Sequence, residues 1–151
     1  MEKIESFKVD HTKLKRGMYI SRTDAGVVTY DVRTRVPNTE PVMENAAIHT
    51  IEHLFATYVR SSELKGNIIY FGPMGCRTGF YFLTTGISHA QALELTVRAF
   101  GFIAGYEGEI PGATAVECGN YREHDLAGAK REAREQHGIL KGWTAEMLNY
   151  Q

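Results

Sequence analysis

The sequence predicts a single-domain α+β fold in which helices pack on one antiparallel sheet. Three observations point there. Stretches with strand character come as hairpins, which pair antiparallel. Helical stripes are interspersed among them rather than alternating strictly with single strands. The chain has 151 residues, 43% apolar and 23% charged, enough for one continuous core and too few for two domains. A chain of this size buries on the order of 70% of its unfolded surface, so it needs no disulfide or structural metal merely to fold.

Val27 to Val36 alternates, with Val28, Tyr30, Val32 and Val36 on one face and Thr29, Asp31, Arg33 and Arg35 on the other. That pattern predicts a half-buried strand, closed by Pro37-Asn38. Asn45 to Arg60 places Ile48, Ile51, Phe55 and Tyr58 at near-helical spacing with no Gly or Pro inside, and predicts a helix. Asn67 to Phe71 and Thr78 to Thr85 are strand-like and flank the turn Gly72-Pro73-Met74-Gly75, which makes a hairpin with Cys76 just past its tip. Ser88 with Gln91 three positions on reads as a capping box, and Leu93, Val97, Phe100 and Ala104 give the helix that follows an apolar stripe ending near Gly105. A third helix is expected from about Asp125 to Gln136, stopped at Gly138 by a left-handed cap. The alternating signs of Lys130 to Glu135 read as a solvated face. There is no internal repeat, low-complexity tract or linker.

Charge and hydropathy exclude several partners. With 17 Lys and Arg against 18 Asp and Glu, the net charge of -1 predicts no basic stripe, and nucleic acid is not an expected partner. Met1 to Lys8 mixes charged and apolar residues and lacks the apolar run of a secretory signal. The longest apolar segment, Ala99 to Tyr106, contains Gly101 and Gly105 and is far too short for a bilayer core of roughly 30 Å. A soluble, cytoplasmic protein with no membrane partner is expected. In that compartment Cys76 and Cys118 read as thiols available for metal binding or catalysis rather than as a disulfide.

The chemistry centres on His49-Thr50-Ile51-Glu52-His53. Two histidines four apart on a helix project from one face and can share a metal ion. Glu52 beside them is placed to move protons for a molecule on that metal. Ile48, Ile51, Leu54 and Phe55 predict that the helix is largely buried, where unpaired imidazoles are costly. A catalytic site typically needs a third protein ligand and an open fourth position. Cys76, Cys118, His11, His89, His124 and His137 are the candidates, and spacing does not choose between the cysteines. His89 and His137, near helix ends, read more simply as structural.

At this point the residues resemble a known family, the S-ribosylhomocysteine lyases, which make the precursor of the autoinducer-2 signal. Five ordered motifs carry the resemblance over nearly the whole chain: Ser6 to Thr12, Asp31-Val32-Arg33 with Pro37-Asn38, Ile48 to Leu54, Pro73 to Tyr81, and Cys118 to Tyr121. The resemblance implies that His49, His53 and Cys118 bind the metal. It implies ferrous iron (Fe2+), one per subunit, which zinc or cobalt can replace. It further implies that Cys76 and Glu52 are the catalytic acid-base groups and that Ser6, His11 and Arg33 contact the substrate, S-ribosylhomocysteine. A homodimer with sites at the subunit interface is implied as well. The chain departs from the family in reading Tyr70-Phe71-Gly72 before Pro73, where an acidic residue, Ile and Ser are usual, and in a shorter hairpin around Asp24 to Val28.

The implied reaction moves a ribose carbonyl from C1 to C3 and then eliminates homocysteine, leaving a dihydroxy-pentanedione. Each shift takes a proton from a carbon beside a carbonyl, which a metal assists by polarising oxygen. One base must give and take protons at successive carbons, and a thiolate near a cation such as Arg33 or Arg77 can do so. Two other readings compete. His-x-x-Glu-His also occurs inverted in zinc peptidases, a reading that leaves Cys76 and Cys118 without a role. A shell closed by both cysteines, Cys76 and Cys118, and both histidines of the motif would instead make a non-enzymatic zinc module.

Overall fold

A computed structural model describes residues 1–151. The chain enters through a short helix, α1 (Glu5–Lys8), and a first hairpin of β1 (Gly17–Asp24) and β2 (Val27–Arg33). Helix α2 (Asn45–Arg60) follows, then the hairpin β3 (Ile68–Pro73) and β4 (Gly79–Thr85), α3 (His89–Ala104) and α4 (Leu126–Leu140). The strands form one four-stranded sheet in the order β1-β2-β4-β3, every neighbouring pair antiparallel. The expected fold class is the observed one. No helix is long and apolar enough to cross a membrane.

Register decides which residues make the core. Tyr30 lies opposite Phe82, Val32 opposite Phe80, and Phe71 opposite Phe82, so these rings share one face of the sheet. Helix α2 lies on that face. Phe55 stacks on Phe71 with ring centroids 3.7 Å apart and meets Phe82 and Phe100 edge-on, joining sheet, α2 and α3 in one apolar cluster. Helix α3 starts where the sequence expects: Ser88 and Gln91 exchange both hydrogen bonds of a capping box.

One strand escapes the sequence pattern, and four expectations need correction. Strand β1 carries no period-two signal, because its register shifts between Ile20 and Arg22 and its first residues, Gly17, Met18 and Tyr19, are buried consecutively. Strand β2 ends at Arg33 rather than Val36 and is not half-buried there, since Asp31 and Arg33 are each 2% exposed. Tyr150 covers them, stacking on Tyr19 and donating to Asp31 Oδ2 at 2.7 Å. Gly72 and Pro73 belong to β3, and the turn is Met74 to Thr78, closed by Met74 N–H donating to the Gly79 carbonyl at 2.9 Å. Helix α4 continues through Gly138 to Leu140, with no left-handed residue at its end. Its charged run is not simply solvated either: Glu132 pairs with Arg35 and Glu135 with Arg16, tying α4 to the chain around β2.

Candidate metal centre and acid-base groups

Helix α2 is anchored by Ile48, Ile51, Leu54 and Phe55, which are at most 6% exposed, and this turns His49 and His53 away from the sheet. The chain between α3 and α4 wraps back over them. The Glu123 carbonyl lies 2.8 Å from His49 Nδ1 and the Pro111 carbonyl 2.8 Å from His53 Nδ1. A carbonyl only accepts, so each Nδ1 donates and each neutral ring keeps its lone pair on Nε2. Gly112, at φ 72°, makes the second contact possible, because a Cβ there would stand 3.2 Å from His53 Nδ1.

Both lone pairs converge on Cys118. Its Sγ lies 3.4 Å from His49 Nε2 and 3.8 Å from His53 Nε2. Ligands on a tetrahedral ion with metal–nitrogen bonds of about 2.05 Å and a metal–sulfur bond of about 2.3 Å would be separated by about 3.6 Å. The two sulfur–nitrogen separations therefore match those expected around a bound metal. Two imidazoles and a thiolate suit zinc or ferrous iron better than a hard cation.

His124 completes a group of four whose candidate ligand atoms all lie within 4.8 Å of one another. Its ring, however, stacks on His49 with centroids 4.0 Å apart and planes 19° apart, whereas His53 meets His49 at 88°. A lone pair lies in its ring plane, so face-stacked imidazoles do not aim at one ion, and crossed ones do. His124 Nδ1 is engaged with Thr50 Oγ1 at 2.9 Å, and Nε2 is buried with no partner. Burial, followed by the neighbouring His49 and His53, depresses His124 to a pKa of about 4. The ring is neutral at pH 7 and supports His49 as packing. That leaves His49, His53 and Cys118 as the candidate donors.

The other candidate ligands lie elsewhere. His11 Nδ1 faces the Val9 carbonyl at 2.8 Å, His89 Nδ1 meets the Tyr30 hydroxyl at 2.7 Å, and His137 packs against Gly101. Cys76 is exposed on the β3–β4 turn and takes no part in the cluster.

Glu52 stands beside His53 on the wall of a cavity of about 570 Å³ that Tyr70, Phe71 and Gly112 also line. It makes no hydrogen bond or ion pair within the chain, leaving a carboxylate free to exchange protons with a bound molecule. Tyr70 lies over Gly72, where a Cβ would come within 1.9 Å of the Tyr70 hydroxyl oxygen. The phenol fills the space that a side chain at position 72 would need.

A second group forms on the sheet face opposite α2. Arg33 donates from Nε and Nη2 to Asp31 at 3.0 and 2.7 Å, and from Nη1 to Thr78 Oγ1 at 2.8 Å. Burial works against the Arg33 charge, but Asp31 outweighs it and holds the guanidinium above its ordinary pKa. Tyr81, opposite Asp31 in the register, has its phenol raised by burial and by Asp31, while Arg33 and Ser6 pull it back. Arg33 and Cys76 meet through Thr78, whose Oγ1 lies 2.8 Å from Arg33 Nη1 and 3.0 Å from Cys76 Sγ. Arg77 turns away and donates to the Met43 carbonyl at 3.3 Å. Neither Ser6, His11, Arg33 nor Cys76 lines the Glu52 cavity.

Fold and site together define a class: small α+β proteins in which a buried helix and a returning loop bring His and Cys donors together as a metal site with a carboxylate beside it. Similarity to known proteins narrows that class. The family S-Ribosylhomocysteinase (LuxS) matches residues 4–146. A protein of Borreliella burgdorferi (strain ZS7) named S-ribosylhomocysteine lyase is 48% identical over 156 residues, covering 99% of each chain. Relatives with the same name from Finegoldia magna, 45% identical over 99% of each chain, and Desulfotalea psychrophila, 51% identical over 88% of this chain and 87% of its own, agree. The chain belongs to the S-ribosylhomocysteinase (LuxS) family, and it is an enzyme of the carbon–sulfur lyase class.

Proposed function

We propose that this enzyme cleaves S-ribosylhomocysteine to homocysteine and a dihydroxy-pentanedione, the autoinducer-2 precursor. The observation that carries the reading is the triad His49, His53 and Cys118, two Nε2 atoms and a sulfur at ligand spacing, with the unpaired Glu52 beside it. These three residues hold the metal, ferrous iron with zinc or cobalt as substitutes, one per subunit. When bound, the ion supplies Lewis acidity to the oxygens of the sugar.

The protein's own groups move the protons. Cys76 takes a proton from the carbon beside the carbonyl and returns it to the former carbonyl carbon, moving the carbonyl one position. A repeat of the exchange brings the carbonyl to C3, with the sulfur-bearing carbon β to it. Glu52 then removes the last proton, the carbon–sulfur bond breaks, and homocysteine leaves with the bonding electrons and takes up a proton. Ser6, His11 and Arg33 hold the substrate. The chain works in the cytoplasm, supplying the signal precursor and returning homocysteine for reuse.

The two groups of residues lie on opposite sides of the sheet in one chain, which supports a homodimer with shared sites. Cys76 of one protomer faces Glu52 and the metal of its partner. The test is thiol release from S-ribosylhomocysteine, with metal analysis of the same anaerobic sample. One metal per chain and stoichiometric homocysteine are expected; metal-loaded protein that releases no thiol would overturn the reading.

A further inference from the structure

A line of hydrogen bonds runs from the C-terminus to Cys76. The Tyr150 hydroxyl donates to Asp31 Oδ2 at 2.7 Å, Asp31 accepts two bonds from Arg33, and Arg33 Nη1 donates to Thr78 Oγ1 at 2.8 Å. Thr78 Oγ1 lies 3.0 Å from Cys76 Sγ. Asp31, Arg33 and Thr78 are 2%, 2% and 5% exposed, so water does not supply alternative partners.

The chemistry of the groups fixes the direction of each bond. A guanidinium has no acceptor, so the Thr78 oxygen accepts from Arg33. The hydroxyl proton of Thr78 then needs an acceptor of its own, because a buried donor left unpaired is costly. The Cys76 sulfur is the one acceptor that the Thr78 hydroxyl reaches. Thr78 therefore donates to Cys76.

We propose that Thr78 is a positioning residue for Cys76, its hydroxyl proton directed onto the sulfur by an Arg33 that Asp31 and Tyr150 hold in place. The proposal rests on the acid-base role given to Cys76 above. Cys76 sits exposed in a turn whose next residue, Arg77, is left-handed at φ 60°, and nothing else ties its side chain. A donor on the sulfur selects one side-chain orientation and is the partner a charged sulfur needs, since the thiolate rather than the thiol takes a proton from carbon. The Arg33 charge reaches the sulfur through a hydroxyl while its own fork stays on Asp31.

The test compares Thr78→Val, which removes the hydroxyl at nearly constant shape, with Thr78→Ser, which keeps it. Metal-loaded proteins are treated with iodoacetamide at neutral pH, the Cys76 peptide is followed by mass spectrometry, and kcat, KM and metal content are measured alongside. Thr78→Val should slow both Cys76 alkylation and kcat by about tenfold, leaving KM and metal content near wild type. Thr78→Ser should restore both rates to within about twofold, and Tyr150→Phe should fall between them. Alkylation in Thr78→Val as fast as in wild type would overturn the proposal, as would failure of Thr78→Ser to recover. Full turnover by Cys76→Ala would instead remove the acid-base reading, while the alkylation series would still report on Thr78.

Discussion

The Nδ1 of His49 donates to the carbonyl of Glu123 at 2.8 Å, and that one bond determines which nitrogen faces Cys118. The donor is on α2 and the acceptor just before α4, 74 residues away. The metal centre is thus oriented by the return of the chain, as well as by the His-x-x-Glu-His spacing. Pro111 does the same for His53. Carbonyls that fix the tautomer of a ligand typically matter about as much as a tenfold to hundredfold change in metal affinity.

The two cysteines should separate cleanly on mutation. Cys118→Ala removes a donor from the cluster and should lose most of its metal, whereas Cys76→Ala should keep its metal and lose turnover. Metal content per chain, measured on both purified variants, checks the assignment. A metal-free Cys76→Ala would require the two roles to be exchanged.

Glu52→Gln keeps the size and hydrogen-bonding capacity of the side chain but cannot take a proton. Because Glu52 is paired with nothing in the chain, the variant should fold and load metal as wild type does, and its elimination step should be blocked. A ketone intermediate should accumulate in the reaction mixture and be visible by carbon NMR. Normal homocysteine release would sink the assignment of this carboxylate.

Much of this was legible in the residues, and what was not has a common cause. Helices α2 and α3 show because stripe and capping box are local, and the β3–β4 hairpin shows because its strands adjoin. Asp31 and Arg33 look like a solvent face because their cover, Tyr150, is 119 residues from Asp31. Strand β1 is hidden by the irregularity between Ile20 and Arg22. His49 and His53 follow from helical spacing, but the choice of Cys118 over Cys76 came from the resemblance, since the loop that delivers it has no periodicity. His124 was a candidate ligand by residue type, and its stacked orientation is a property of packing alone.

Stability at acid pH should depend on Glu40, which pairs with Arg16 and accepts from the Val36 N–H at 2.6 Å. Arg16 first, and the Val36 N–H after it, hold this carboxyl below its ordinary pKa. A carboxylate with a depressed folded-state pKa stabilises the fold above its unfolded value of about 4.3, and the contribution disappears as pH falls through the folded value. Glu40→Gln should therefore melt below wild type at pH 7, and the gap should close toward pH 3. An equal gap in Tm at both pH values would show that the charge on Glu40 is not the cause.

The shared site can be tested by mixing two inactive proteins. If Cys76 of one protomer serves the metal and Glu52 of its partner, a dimer of Cys76→Ala with Glu52→Gln collects both mutations in one site and none in the other. Dissociating the two variants and letting them reassociate at random makes about half the dimers mixed. Each mixed dimer then carries one intact site of two, so roughly a quarter of wild-type activity should return if the sites act independently. Should each chain instead build its own site, every site in every dimer would carry one mutation and nothing would return. Mass spectrometry of the intact dimers establishes that exchange took place. Exchanged dimers without activity would reject the shared site while leaving the metal triad and the two acid-base assignments standing, because those rest on the single-variant results.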